Sequence, residues 1–161
     1  MAQDYILRLI EQVAAMLATV LARRRSGQVS EAGDEIRRLT QETVGLTPEA
    51  VRRLSPEAVA TLLDRSGFLR PLKSLVLVGL LEQEDELAGP EWPEADRLAS
   101  RVHRFCLLAD TLPLLNREDQ QVSHQQLEVL AQELGPACEH PALRDRIQKI
   151  RRQNGPERPA L

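Results

Sequence analysis

Apolar residues recur along this chain at the spacing of a helix face rather than a strand. Between residues 6 and 21, Ile6, Leu9, Ile10, Val13, Leu17, Val20 and Leu21 follow the i, i+3, i+4, i+7 rule. Arg8, Glu11, Gln12 and Arg23 fall off that stripe. Asp4 suits the start of such a helix, and Arg23, Arg24 and Arg25 suit its electronegative C-terminal end. Gly27 closes it. Ala14, Ala15, Ala18 and Ala22 widen the face with small residues that let a neighbour approach. The pattern predicts an amphipathic opening helix that packs as core.

The same reading continues downstream. Residues 30–44 form a second helix with Ile36, Leu39 and Val44 inward and Gly45 ending it. The turn before it is short, so the two helices pair antiparallel. "TPEAVRRL" and "SPEAVATL" then repeat one start signal, with Thr47 and Ser55 as N-caps, each followed by proline and glutamate. Leu54, Val59, Leu62 and Leu63 face inward. "LKSLVLVGLLEQEDEL" has a run apolar enough for a strand. It reads as a helix buried all round, because its continuation is strongly helix-forming and no second strand exists to pair with it. Pro93 starts the next helix, with Leu98, Val102, Phe105, Leu108, Ala109 and Leu112 inward, and Pro113 ends or bends it. Ser123 with Gln126 fits a capping box that opens a helix through Leu127, Leu130 and Leu134 to Gly135. Leu143, Ile147 and Ile150 mark the last helix.

The fold expected is therefore all-α: antiparallel helical hairpins in a tetratricopeptide-like array, with residues 1–153 as one domain and 154–161 as a flexible tail. Residues 27–39 carry part of the tetratricopeptide spacing at Gly27, Val29, Ala32, Ile36 and Leu39, and no clean second copy follows.

Composition narrows the function classes. The core must be aliphatic, because Tyr5, Phe68, Trp92 and Phe105 are the only aromatic residues. So few flat rings argue against base-stacking platforms and sugar clefts. A net charge of -3 gives no general attraction to nucleic acid or anionic membranes. Asp4 at the start argues against a signal peptide. The longest uncharged run, residues 12–22, is too short to span a bilayer, which takes about 20 mostly apolar residues. Two cysteines do not make a secreted disulfide framework, so a reducing cytoplasm is expected.

Candidate chemistry is sparse. His103 and Cys106 stand at i, i+3 on one helix, and Cys138 and His140 lie close together near another. Two thiols and two imidazoles are a formal zinc set, although H-x-x-C and C-x-H match no established finger spacing. The ordinary reading of Cys106, between Phe105 and Leu107, is a buried free thiol. Either cysteine with His124 is a conceivable nucleophile–base pair, but no pattern supplies an oxyanion hole. No phosphate loop, nucleophile elbow or H-E-x-x-H motif is present. Seven acids between Glu82 and Asp96 lack the alternation of a calcium loop and read as a solvated edge. Arg144, Arg146, Lys149, Arg151, Arg152 and Arg158 face only Asp145 and Glu157. That basic end either pairs with acidic groups or touches nucleic acid.

The opening phrase Gln3-Asp4-Tyr5-Ile6-Leu7-Arg8-Leu9-Ile10-Glu11-Gln12, followed by "LARRRSGQVSEAGDEIRRL" and "LTPEAVRRLSPE", resembles a bacterial family of small helical proteins of unassigned activity. The resemblance covers about the first 65 residues. It implies a tetratricopeptide-like hairpin, a Leu-rich helical remainder and a bacterial cytoplasm, and it carries no catalytic residue. The function expected is a non-enzymatic scaffold, without cofactor, that binds a protein or peptide between hairpins or pairs with a second copy. The alternatives are a metal- or ligand-responsive regulator using His103, Cys106, Cys138 and His140, and weak nucleic-acid binding by the last helix.

Overall fold

The structure, a computed structural model, describes residues 25–135 and 141–153, together with residues 15, 18, 19 and 22. Seven α-helices lie within the described residues, and no strand does. They are α1 (Val29–Val44), α2 (Pro48–Arg53), α3 (Pro56–Asp64), α4 (Arg70–Ala88), α5 (Glu94–Thr111), α6 (Arg117–Leu134) and α7 (Pro141–Gln153). Single 3-10 turns at Gly67–Leu69, Gly89–Glu91 and Leu112–Leu114 join some of them. The apolar stripe of residues 6–21 and the tail at 154–161 lie outside the described residues. Ala15, Ala18, Thr19, Ala22 and Arg25 are helical and exposed.

Local signals set most helix ends. Gly45 closes α1 in the left-handed region, φ 77° and ψ 11°, and its N–H reaches the Gln41 carbonyl. A side chain there would be strained, which is why glycine stands at this end. Thr47 Oγ1 accepts from the Ala50 N–H at 3.2 Å, and Ser55 Oγ from the Ala58 N–H at 3.1 Å. The two Pro-Glu starts therefore act as the caps their sequence indicates. The start of α6 is a correction. Asn116, not Ser123, caps it: Asn116 Oδ1 accepts from the Asp119 N–H at 2.9 Å. Ser123 is buried in mid-helix. The first turn and a half is polar and shows no apolar period, but an Asn cap followed by Glu118 and Asp119 favours a helix start on its own.

The segment rich enough for a strand is helix α4. It is buried on two sides because two neighbours claim it. Val76 and Leu80 pack with Ala32, Ile36 and Leu39 of α1. Leu77, Val78 and Leu81 join the larger cluster around Phe105, Cys106 and Leu108 of α5. Fully buried Ser100 of α5 sits against the Leu81 carbonyl, a small residue where the two helices meet closely. Helix α5 is the hub, in contact with α2, α3, α4, α6 and α7. His103, Arg104 and Leu107 are buried on it along with its apolar stripe. Leu98 is a second correction: it was expected inward and is 38% exposed.

Candidate functional site

Arginines at 97, 101 and 104 place three cations on one face of α5, at i, i+4 and i+7. Asp85 of α4 receives all three, at 3.5 Å from Arg97, 3.4 Å from Arg101 and 3.7 Å from Arg104. Glu133 of α6 meets Arg101 at 3.4 Å and Arg104 at 3.7 Å. One charged strip thus ties α4, α5 and α6 together. Arg104 is 6% exposed, and its Nε has no hydrogen-bond partner among the described residues.

Above that strip runs a groove of about 400 Å³ between α4 and α6. Val78, Leu108 and Leu130 supply its apolar base, and Arg104 contributes to it. Glu82, Gln125, Gln126 and Glu133 edge it. Val122 and Val129 also line it and stand 55% and 54% exposed, one heptad apart on α6. Scattered exposed apolar residues are ordinary, but two on one edge of an apolar-floored groove form a patch suited to a partner.

The sequence-derived His/Cys set is divided. His103 and Cys106 both border a crevice of about 10 Å³ inside the fold, together with Ser74, Asp110 and Thr111. Burial pushes the His103 ring below its usual value of 6.5, against the carbonyls of Leu54 and Arg52, which favour the proton. These are the orphan carbonyls at the end of α2, so the imidazole serves as a cap from another helix. Burial also pushes the Cys106 thiol up to about 12. A nucleophile or metal ligand needs the opposite shift, toward thiolate. Cys138 and His140 lie outside the described residues. His124 is half-buried on α6. Among the described residues no group of three or more His, Cys, Asp or Glu side chains is placed to hold a metal ion.

The charged segments find partners inside the fold. Arg52 of α2 pairs with Glu84, lies 3.8 Å from Asp96 and stacks over Trp92 at 4.8 Å. With Asp85 this shows that much of the 82–96 acidic run is structural. The basic last helix is partly engaged: Arg146 meets Asp110 at 2.9 and 3.0 Å through two nitrogens. Glu57 lies 3.9 Å from it. Arg144, Lys149 and Arg152 remain exposed.

A second groove, about 730 Å³, lies between the α2–α3 corner and the first half of α5. Leu98 and Val102 line it beside Arg52, Arg53 and His103, with Pro141 at its border. No described helix is long and apolar enough to cross a membrane. Comparison with known proteins found no matching family model, curated protein or solved structure.

Proposed function

We propose that this chain is a non-enzymatic helical adaptor whose α4–α6 groove holds an amphipathic helix of a protein partner. The observation that carries the reading is the pair Val122 and Val129, more than half exposed on the edge of a groove floored by Leu108 and Leu130. A helix laid there buries its own i, i+3, i+4, i+7 residues against that floor. The edge carries Glu82, and α6 has Glu118, Asp119 and Glu128 against one arginine, Arg117, with Glu133 already held by Arg101 and Arg104. A guest with a basic flank is therefore favoured.

The absence of catalysis is supported by the chemistry of the two candidate groups. Both turn into the fold, and burial holds Cys106 as a thiol and His103 as a neutral ring. A cytoplasmic setting fits a chain whose Cys106 thiol is buried in the core. The tetratricopeptide-like reading rests on residues 27–39, where Ala32, Ile36 and Leu39 do pack against the next long helix. A hub helix touched by five others has no counterpart in a linear repeat. For that reason the docking surface is placed on α4 and α6 rather than in a repeat groove.

The test is fluorescence anisotropy with a labelled, Lys-rich amphipathic helical peptide and a scrambled control. The ordered peptide binds, the scrambled one does not, and Val129→Glu abolishes binding. Equal binding of both peptides, or binding unaffected by Val129→Glu, rejects the groove.

A further inference from the structure

Starting from that docking reading, we infer that the guest helix comes from a second copy of this chain: residues 6–21 of one copy lie in the α4–α6 groove of the other, reciprocally. Three observations converge. First, residues 6–21 carry seven large aliphatics on a single helical stripe. The helix next in the chain offers them little, because the apolar side of α1 is committed to α4. Its remaining surface bears Glu31, Asp34, Arg37, Arg38 and Glu42, with Val29 its one exposed large apolar residue. A hairpin of the opening segment onto α1 would bury the stripe against charge.

Second, the charges match at one end: Arg23, Arg24 and Arg25 directly follow the stripe, which itself holds only Arg8 and Glu11. The groove wall α6 is acidic, and Glu82 stands at the α4 edge. Third, the linker available within one molecule is short. At about 100° per residue, the α1-facing side of α4 (Val76, Leu80) and the groove side (Val78, Glu82) are about 160° apart. Ala22 and Arg25 are helical, and only Ser26, Gly27 and Gln28 separate them from α1. Three residues are little to carry the segment round α4. The groove wall from Val122 to Glu133 runs about 16 Å, matching about three turns of guest helix. Two such insertions related by a twofold axis close the assembly as a dimer.

Sedimentation velocity on the full chain tests this. The chain sediments as a dimer, and both Val122→Glu/Val129→Glu and Leu9→Glu/Leu17→Glu sediment as monomers. The valines are exposed, so the first variant keeps the far-ultraviolet circular dichroism and melting profile of a folded chain. A dimer that survives Val122→Glu/Val129→Glu overturns the exchange. So does a wild-type monomer: if that monomer still binds the external Lys-rich peptide, only the exchange falls; if it does not, the docking reading falls with it.

Discussion

Two leucines on α5 provide a sharp check on the hub. Leu98 and Leu108 share one helix and one predicted stripe, yet Leu108 is 1% exposed and Leu98 is 38% exposed. Leu108→Ala removes three heavy atoms from a closed interior, losing transfer energy and leaving a void. Such changes cost about 2–5 kcal/mol. Leu98→Ala empties space already open to the 730 Å³ groove, so no cavity is created. Its loss is partial burial alone, under about 1 kcal/mol. For a chain of this length each kcal/mol moves Tm by about 2–4 °C. Leu108→Ala therefore lowers Tm on the order of 10 °C, and Leu98→Ala by about 2 °C. Urea titration followed by circular dichroism gives the free energies directly. Equal losses for the two variants would refute the placement of α5 and, with it, the open groove at its first half.

Other consequences follow from the buried polar groups. Because burial lowers His103, below pH 6.5 the unfolded chain binds a proton that the folded chain refuses. Stability is thus full above 6.5 and falls on acidification, and His103→Gln flattens that part of a urea-midpoint profile; an unchanged slope would contradict the burial. Cys106, raised to about 12, stays unalkylated by iodoacetamide at pH 8 until denaturant is added, as read by mass spectrometry of its peptide. Rapid native labelling would contradict that. Arg52→Met takes the paired cation from half-buried Glu84 and costs about 1.5–3 kcal/mol, whereas Arg52→Met with Glu84→Gln costs much less; additive losses across Arg52→Met, Glu84→Gln and the double variant would rule out the pairing. Asp110→Asn loosens the Arg146 clamp, which is partly solvated, for about 1 kcal/mol or less. The expected sign is faster hydrogen exchange across residues 141–153, and unchanged exchange there would count against the clamp.

Much of the fold was legible because helical periodicity and caps are local signals. Thr47, Ser55, Gly45 and Pro93 could be placed with no knowledge of neighbours. Ser123 misled because a hydroxyl three residues before Gln126 looks like a cap whether or not the chain is already helical. Leu98 misled because a stripe gives the direction a side chain faces, not whether another helix lies there. The site was scarcely legible. Val122 and Val129 carry no chemical signature, and their importance lies in exposure, which depends on where α4 ends up. The Arg97, Arg101 and Arg104 ladder was readable as spacing, but its partners Asp85 and Glu133 sit on two other helices. His103 and Cys106 attracted attention by residue type, and packing gave them structural work instead.

The central claim is that the α4–α6 groove receives a helix, and methyl-resolved NMR tests it most directly. On adding the Lys-rich helical peptide to the Leu9→Glu/Leu17→Glu variant, whose groove no second copy fills, shifts confined to the methyls of Val78, Leu108, Val122, Val129 and Leu130 are predicted. Shifts at Leu98 and Val102 instead, or none at all, would contradict it.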